Sequence, residues 1–327
     1  MKSILITGGA GFIGSQTVSQ LKRDGWFPIV VDNLSYGFRE SIAESVSFYQ
    51  IDIRNKGEIA KVFTQHNISA VIHLAGLAVV EESFERSADY MDQNINGTKN
   101  MLDLCKEFNV KNFIFSSSST IYGNANENQK LTEQHNISAM SPYGNSKFEC
   151  EKIIKAAAAT FGLKYLILRY FNVAGASSDL SNGPRGKGSG RVIFNATKAA
   201  VHGQVFSIFG NDYPTLDGTC VRDYIHVEDI ADIHLLGLNY LVAGKDSKVL
   251  NCGYGEGFSV LQIAEKFKLK NRVDFEIEWA SKRRGDPAIL VGDNSELVGA
   301  LNWKSRFKDP LEAICHTAYQ WEKKNSL

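Results

Sequence analysis

The fold is decided near the amino terminus by Ser3-Ile4-Leu5-Ile6-Thr7-Gly8-Gly9-Ala10-Gly11-Phe12-Ile13-Gly14. A short apolar run leads directly into glycines 8, 11 and 14, and a helical pattern follows from Ile13 to Asp24. Glycine at the first position permits a tight turn, the second lets backbone approach a diphosphate, and the third lets the helix pack on the strand. The free N–H groups at the helix start favour an anion. The stretch therefore predicts a strand–turn–helix unit that binds a dinucleotide.

Asp32 supports this interpretation, because it ends the next candidate strand, 18 residues beyond Gly14. A carboxylate there accepts the adenosine ribose hydroxyls and repels a 2′-phosphate, so NAD is preferred over NADP. Asp52-Ile53 follows the third candidate strand, where a pair of adenine-binding residues is expected. A cap for the helix that follows is the alternative function of this pair.

Short β-branched runs alternate with helical patterns through the first half of the chain, which predicts an α/β fold with a parallel sheet and crossover helices. The candidate strands are Ser3–Thr7, Ile29–Asp32, Ser47–Gln50, Ala70–Leu74, Asn112–Ser116 and Tyr165–Arg169. The candidate helices are Ile13–Asp24, Lys56–Gln65, Asn94–Phe108 and Gly144–Phe161. Together with the glycine-rich turn they predict a Rossmann-type, doubly wound sheet.

The regular alternation of strand and helix patterns changes near Ala174. This change predicts a dinucleotide-binding domain over residues 1–173 and a smaller α/β substrate-binding domain over residues 174–327. A segment at about 220–245 is expected to pack back on the first domain. Residues 177–190 are rich in glycine and serine and predict a surface loop or the entry to the second domain. Beyond them we expect helices near Val192–His202, Val227–Val242 and Val260–Phe267, and a strand at Phe206–Phe209.

Charge and cysteine content limit the classes of function. Lysine plus arginine equals aspartate plus glutamate, 36 residues each, so no overall field favours nucleic acid or an anionic membrane surface. No apolar run is long enough for a membrane span or a signal peptide. The five cysteines are widely spaced without a CxxC pair, which is typical of buried thiols in a reducing compartment. These features predict a cytoplasmic protein.

Tyr143 and Lys147 form a YxxxK pair whose spacing places both side chains on one helix face. A neighbouring ammonium favours the phenolate, so we expect the pKa of Tyr143 to fall and the phenolate to serve as a base near neutral pH. Such a pair is common on amphipathic helices. Here it follows Ser141-Pro142, a helix-start signal, and it lies downstream of Ser116-Ser117-Ser118-Ser119-Thr120. Ser118, at the carboxyl end of a parallel strand, is therefore expected to hydrogen-bond a substrate hydroxyl beside Tyr143.

These motifs resemble the extended short-chain dehydrogenase/reductase family, and within it the UDP-glucose (UDP-galactose) 4-epimerases. The likeness covers nearly the whole chain. Its more specific motifs are Tyr170-Phe171-Asn172, Ile208-Phe209-Gly210-Asn211-Asp212-Tyr213-Pro214, Asp217-Gly218-Thr219 and Arg222-Asp223-Tyr224-Ile225-His226-Val227. The resemblance implies bound NAD, a UDP-sugar substrate and a homodimer formed through the helices at Asn94–Phe108 and Gly144–Phe161.

The cofactor-binding residues predicted in this way are Gly8, Gly11, Phe12, Ile13, Gly14, Asp32, Asn33, Asp52, Ile53, Leu74, Ala75, Gly76, Tyr143, Lys147 and Tyr170. The substrate-binding residues are Ser118, Tyr143, Asn172, Ser207, Phe209, Arg222, Arg283 and Asp286.

In the substrate set, the resemblance implies that Asn172 contacts the diphosphate and that Ser207–Phe209 contact the uracil. It also implies that Arg222 and Arg283 hold the diphosphate and that Asp286 binds the uridine ribose; guanidinium groups suit phosphate oxygens. Two alternatives stay open. Arg222 could pair within the chain with Asp223 or Glu228, and Arg283 could belong to a solvated basic run with Arg284.

The sequence departs from the family pattern at three places. Ala78 stands where some of these epimerases carry a lysine near the cofactor, and Glu81-Glu82 adds negative charge nearby. The segment 181–191 lacks the family's usual residues before the uridine-binding helix, and its Arg191 is either a phosphate contact or a loop cation. Leu290 stands at the gate position, where tyrosine excludes and a small side chain admits N-acetyl sugars. Leucine is intermediate in size and leaves the substrate range open.

The expected mechanism is oxidation and re-reduction at C4 with bound NAD and without a metal. Tyr143 takes the O4 proton, Ser118 positions that oxygen, and the 4-keto sugar turns over on its UDP anchor. One rival is a nucleotide-sugar dehydratase, which Ile121-Tyr122 after Thr120 disfavours, since dehydratases of this family generally have Asp-Glu there. A UDP-uronate 4-epimerase or decarboxylase stays open. The other rival is a non-enzymatic NAD-binding protein, which the intact catalytic residues disfavour.

Overall fold

The computed structural model describes residues 3–123, 130–186, 192–283 and 286–326. Its strands, in chain order, are β1 (Ser3–Thr7), β2 (Phe27–Asp32), β3 (Ser47–Gln50), β4 (Ile68–His73), β5 (Asn112–Ser118), β6 (Lys164–Tyr170), β7 (Asn172–Ala174), β8 (Phe206–Phe209), β9 (Val221–His226), β10 (Lys248–Cys252), β11 (Gly257–Ser259), β12 (Ile277–Ala280) and β13 (Ile289–Leu290). Its α-helices are α1 (Phe12–Arg23), α2 (Lys56–Gln65), α3 (Val80–Glu85), α4 (Ser87–Met91), α5 (Gly97–Glu107), α6 (Pro142–Phe161), α7 (Val192–His202), α8 (Val227–Val242), α9 (Val260–Asn271), α10 (Ser295–Leu301) and α11 (Pro310–Asn325).

The chain divides into two compact units that are not contiguous in sequence. The first comprises Met1–Ile121, Ala139–Arg169 and Ala231–Leu250, and the second comprises Tyr122–Ser138, Tyr170–Ile230 and Asn251–Leu327. The division falls within α8.

The first unit is organised by a seven-stranded sheet in the order β10-β6-β5-β4-β1-β2-β3. Strand β1 pairs in parallel with both β2 and β4, and β2–β3 and β4–β5 are parallel as well. Its core packs apolar residues of these strands against α2, α5 and α6, among them Leu5, Ile59, Leu104 and Ile154. The predicted Rossmann-type fold is confirmed, and the six strands predicted in the first half are all present.

The turn between β1 and α1 shows why glycine is required there. Gly8 has a φ of +71°, in the left-handed region that favours glycine. A Cβ atom at Gly14 would lie 2.2 Å from the carbonyl oxygen of Gly8, so any side chain at position 14 would push the helix away from the turn. The spacing of the glycines in the sequence therefore reflects a turn and a close backbone contact that only glycine permits.

The helix predicted at Asn94–Phe108 is not a continuous α-helix. A π-helical segment, Asp92–Asn96, precedes α5. The carbonyl oxygen of Asn94 accepts hydrogen bonds from Thr98 Oγ1 at 2.7 Å and from Cys150 Sγ at 3.3 Å. The same carbonyl also accepts the N–H of Gly97, so backbone and side-chain donors share it at this irregular turn.

Helix α6 carries the YxxxK pair, and its ends are set by local chemistry. Ser141 caps it by accepting the N–H of Gly144 at 3.1 Å, and Pro142 occupies the first turn, where a missing N–H costs nothing. The helix stops at Gly162, which has a φ of +70°. It therefore begins two residues before the predicted start at Gly144.

The second unit contains a sheet in the order β11-β9-β13, with β7 pairing to β9, and a two-stranded sheet of β8 and β12. Helices α7, α9 and α11 pack on a core that includes Ile208, Tyr224, Phe267 and Ile314. The predicted helix at Val192–His202 and the strand at Phe206–Phe209 have the predicted bounds, and α9 continues four residues past Phe267. Within the predicted loop 177–190, Ser177 and Asn182 are buried and bonded to each other, so this part of the segment folds inward.

Candidate active site

The carboxyl ends of β1, β2 and β4 meet at one edge of the sheet in the first unit. Thr7 is in register with Val31 of β2 and with His73 of β4. The glycine turn and the start of α1 follow Thr7 directly. This helix has no side-chain cap at Gly11 and no acidic residue in its first turn, so its N-terminal dipole faces no carboxylate of its own helix. The arrangement suits a diphosphate.

Asp32 is held firmly at this edge. Its Oδ2 accepts the N–H of Ala10 at 3.0 Å, and its Oδ1 accepts the N–H of Leu34 at 2.8 Å. Burial raises the pKa of the carboxyl, while these two backbone donors act in the opposite direction. A Cβ atom at Gly37 would lie 2.9 Å from Oδ1, so glycine leaves open the space beside the carboxylate. The carboxylate oxygens can accept hydrogen bonds from the hydroxyls of an adenosine ribose.

Asp52 and Asn33 lie together, because Asn33 Nδ2 donates to Asp52 Oδ2 at 3.0 Å. Arg54 also pairs with this carboxylate, and the two interactions hold the pKa of Asp52 down to about 2. The helix-cap alternative for Asp52 is wrong: the side chain of Asn55 caps α2 by accepting the N–H of Glu58. Ile53 is buried against Gly97, where a Cβ atom would clash with it.

Leu74, Ala75 and Gly76 pass directly over the glycine turn. A Cβ atom at Gly8 would lie 2.6 Å from the nitrogen of Ala75, and one at Gly76 would lie 3.5 Å from Lys147 Nζ. These approaches bring the predicted cofactor loop, the glycine turn and the YxxxK helix together. The residues present in the first unit therefore fit a bound dinucleotide.

Tyr143 is buried at the start of α6 and receives a hydrogen bond from Ser118. The Ser118 hydroxyl itself accepts the N–H and the hydroxyl of Thr120, at 3.2 and 2.9 Å. These two bonds fix the Ser118 hydroxyl beside the phenol of Tyr143. The structure thus brings the predicted base and the predicted orienting hydroxyl into contact.

The predicted fall in the pKa of Tyr143 is wrong for this structure. Burial raises the pKa of the phenol, and the hydrogen bond from Ser118 offsets only part of that effect. Lys147 Nζ lies 6.0 Å from the centre of the Tyr143 ring and donates to the carbonyl oxygen of Ser116 at 2.8 Å. Burial also lowers the pKa of Lys147 to about 8. Desolvation of both groups outweighs the attraction that the spacing alone suggested.

A buried polar chain beneath this edge was missed by the sequence interpretation. His73 Nδ1 lies 2.6 Å from Thr7 Oγ1, and His73 Nε2 lies 3.1 Å from Thr98 Oγ1. Since Thr98 donates to the carbonyl of Asn94, it accepts from Nε2–H, and Nδ1 then accepts from Thr7. The hydroxyl of Thr7 in turn accepts the N–H of Ala75 at 3.3 Å. The chain ties the cofactor loop to β1, and no linear motif marks it.

The second unit contains a pocket with about 340 Å³ of empty space, solvent included. Ser207, Phe209, Arg283 and Asp286, all predicted to bind substrate, contribute to its lining. The lining also includes Val192, Asn195, Phe206, Cys220 and Val260, which the sequence interpretation did not select. The guanidinium of Arg283 lies 3.9 Å from the centre of the Phe209 ring. The pocket offers an aromatic face, a cation and a carboxylate.

Arg222 is paired with Asp286, and it also donates to the carbonyl of Val221 at 2.8 Å. The alternative pairing with Asp223 or Glu228 is not what the structure has. Asp223 instead accepts the backbone N–H groups of Tyr254 and Gly255. The stacking of Arg283 on Phe209 likewise differs from the alternative of a solvated basic run.

The remaining predicted positions lie as follows. Tyr170 ends β6, and Asn172 begins β7 in register with Tyr224. Leu290, at the predicted gate, ends β13 in register with Arg222. Ala78 is exposed just before α3. Arg191 and Arg284 lie outside the described residues.

Comparison with known proteins identifies the family. A model of the NAD dependent epimerase/dehydratase family matches residues 4–253. The chain belongs to this family. It is 38% identical to the UDP-glucose 4-epimerase of Lactobacillus helveticus over 321 residues, covering 98% of this chain and 97% of that protein.

Two solved structures of this family resemble the whole chain. The UDP-glucose 4-epimerase of Stenotrophomonas maltophila, with bound NAD and formylated UDP-arabinopyranose, superposes with a TM-score of 0.94 at 35% identity, covering 100% of this chain and 99% of that one. The UDP-Glc/GlcNAc 4-epimerase of Campylobacter jejuni superposes with a TM-score of 0.86 at 37% identity, covering 99% and 100%. No α-helix in the described part of this chain is both long and apolar enough to span a membrane.

Proposed function

We propose that this protein is an NAD-dependent epimerase that reversibly inverts C4 of a UDP-hexose, interconverting UDP-glucose and UDP-galactose. The observation that carries the proposal is the contact of Ser118 with Tyr143, beside Lys147, at the sheet edge that bears the glycine turn and Asp32. The family membership and the full-length similarity to UDP-glucose 4-epimerases support it. The relatives of known structure from Stenotrophomonas maltophila and Campylobacter jejuni are both named as 4-epimerases, which favours epimerisation over decarboxylation.

In the proposed reaction, Tyr143 removes the proton of O4 and later returns it, and Ser118 orients that oxygen by a hydrogen bond. Bound NAD+ supplies reversible oxidation at C4 and a positive charge that opposes the burial effect on the pKa of Tyr143. Lys147, fixed to the carbonyl of Ser116, contributes further positive potential. A 4-keto sugar that turns over while its UDP stays bound is reduced from its other face, and C4 is inverted.

The two parts of the chain have separate binding roles in this proposal. Residues of the first unit hold the dinucleotide: the glycine turn with Phe12 and Ile13, the Asp32–Asn33 and Asp52–Ile53 pairs, and the loop Leu74–Gly76. Tyr170, the last residue of β6, is proposed to contact the nicotinamide. The pocket of the second unit holds UDP, with Phe209 against the uracil, Asp286 on the ribose, and Arg222, Arg283 and Asn172 on the diphosphate. Guanidinium groups in a partly buried site match the two charges of a diphosphate.

Leu290 stands at the position expected to decide whether the protein accepts N-acetyl sugars. Leu290 lies opposite Arg222, one of the proposed diphosphate ligands, on the neighbouring strand. The two residues are therefore adjacent in the sheet. The relative from Campylobacter jejuni is named for both UDP-Glc and GlcNAc. UDP-N-acetylgalactosamine is therefore the second substrate to test.

We also propose a homodimer in a reducing compartment, the cytoplasm. All five cysteines are free and buried, which suits a chain that forms no disulfides. The dimer would use α5 and α6, whose exposed positions mix charged side chains with Ala156 and Ala159. Sedimentation of the purified protein with and without exposed Lys152→Glu and Lys155→Glu substitutions tests this arrangement; a monomeric wild type contradicts it.

The function is tested by incubating purified protein with UDP-galactose and following UDP-glucose by a coupled dehydrogenase or by NMR. We expect conversion to the same equilibrium mixture from either sugar nucleotide, with no net consumption of NAD. Absence of conversion in protein that contains NAD and binds UDP contradicts the proposal. Repeating the assay with UDP-N-acetylgalactosamine measures the effect of Leu290.

A further inference from the structure

A hydrogen bond joins two loops on opposite sides of the glycine turn in the first unit. The hydroxyl of Tyr36 donates to the carboxylate of Glu82, with its oxygen 2.6 and 2.8 Å from the two carboxylate oxygens. Tyr36 lies in the loop after β2, and Glu82 lies in α3, which follows the loop after β4. Since the sheet order is β4-β1-β2, this bond bridges the loops on either side of β1.

The loop that carries Tyr36 is set rigidly over the glycine turn. Phe38 donates its N–H to the carbonyl of Ala10 at 3.0 Å, which ties the far end of the loop to the turn itself. Near its start, Leu34 has a φ of +60° and donates its N–H to Asp32. Ser35 is bonded to the side chain of Asn33 through both its N–H and its hydroxyl. These bonds restrict the position of the loop and therefore of the Tyr36 phenol.

Glu82 is held in position by the residue that follows its helix. The guanidinium of Arg86, one turn later in the chain, pairs with its carboxylate, and Arg86 also bonds Asp89 at 2.8 Å. The pairing balances the negative charge that Glu82 brings near a diphosphate site. Although half of Tyr36 is exposed to solvent, its hydroxyl is directed to this one carboxylate. The partners on both sides are thus preorganised.

We propose that Tyr36 and Glu82 form a clasp across the dinucleotide crevice that slows the release of bound NAD, an inference that rests on the proposed function. Ligands of doubly wound sheets lie outside the carboxyl ends of the strands, at the crevice between the loops that follow them. A dinucleotide on the glycine turn lies between the two loops that the clasp joins. Its departure requires those loops to separate, and the clasp resists that separation.

Dissociation of the cofactor tests the clasp without an activity measurement. The protein is loaded with NADH, an excess of NAD+ is added, and the loss of bound NADH fluorescence gives the dissociation rate. Tyr36→Phe removes the hydroxyl and keeps the ring, and Glu82→Gln removes the charge and keeps the shape. We expect each variant to release NADH about three- to tenfold faster, the range of a partly exposed hydrogen bond to a charged group.

Tyr49→Phe is the matched control, because the hydroxyl of Tyr49 bonds Gln65 and His66 away from the glycine turn. It should release NADH at the wild-type rate. The double variant Tyr36→Phe/Glu82→Gln should release NADH no more than about twofold faster than the faster single variant, because both changes break one bond. Equal rates in wild type, Tyr36→Phe and Glu82→Gln overturn the clasp, as do independent effects that multiply. A wild type that binds no NADH refutes the proposed function instead.

Discussion

The carboxylate of Asp32 accepts the backbone N–H of Ala10 at 3.0 Å, so the end of β2 is tied to the glycine turn after β1. A second N–H, from Leu34, holds the other oxygen at 2.8 Å. The carboxylate is thereby fixed where it can accept ribose hydroxyls and repel a 2′-phosphate. Cofactor choice in this protein follows from that fixed charge.

Asp32→Asn should weaken NADH binding by about 10- to 100-fold, the usual effect of losing hydrogen bonds to a charged group. Binding of NADPH should weaken less, because the repulsion of its 2′-phosphate is lost together with the charge. Fluorescence titration of both nucleotides gives the ratio of affinities. The exposed Asp103→Asn change, which removes a surface pairing with Lys56, is the control and should leave the ratio unchanged. An unchanged ratio in Asp32→Asn contradicts the assignment.

Arg222→Met should separate the contacts to the diphosphate from those to the nucleoside. Arg222 is assigned to the diphosphate and Asp286 to the ribose, although the two are paired with each other. We expect UDP to bind about 10- to 100-fold more weakly, since charge-assisted contacts to phosphate are lost, and uridine to lose much less affinity. Calorimetry with both ligands measures the difference. Equal losses would mean that Arg222 acts through Asp286 and the shape of the pocket.

His73→Gln should change how stability depends on pH. Burial, and to a smaller extent the charge of Lys147, lowers the pKa of His73 to about 3, whereas an unfolded histidine titrates near 6.5. The unfolded chain therefore binds one more proton between these values. The contribution of His73 is complete above about pH 6.5 and is lost at about 1.4 kcal/mol per pH unit as the pH falls toward 3.

Urea unfolding at several pH values between 7 and 4.5 checks this prediction. The slope of the free energy of unfolding against pH should be smaller in His73→Gln than in wild type by about one proton. Buried His226, whose pKa is also lowered to about 3, keeps its own contribution in both proteins. The same slope in both would show that His73 titrates normally in the folded protein.

Much of the first unit could be predicted because its signals are local. The glycine spacing, the β-branched runs and the Ser141-Pro142 helix start each depend on contacts within a few residues. The π-helical segment before α5 could not be predicted, since no local signal marks it and one of its bonding partners, Cys150, is 56 residues from Asn94. Likewise, membership of Tyr122–Ser138 in the second unit depends on contacts remote in sequence.

The candidate site also has features that the sequence predicted and features that it did not. Motif spacing was enough to select Ser118 and Tyr143, which the structure brings into contact. It was not enough for the pKa of Tyr143, because desolvation depends on everything packed around the phenol. The bridge from Thr7 through His73 to Thr98 joins residues on three elements, and only the folded chain brings them together.

The central claim is that the Tyr143 oxygen exchanges the proton of the substrate hydroxyl, with Ser118 orienting both. The most direct measurement is UDP-galactose turnover by Tyr143→Phe, alongside its NAD content and its affinity for UDP. We expect both binding properties to remain and turnover to fall by about 10²- to 10⁴-fold, the usual contribution of a general base. Turnover close to that of the wild type, with intact binding, would contradict the account.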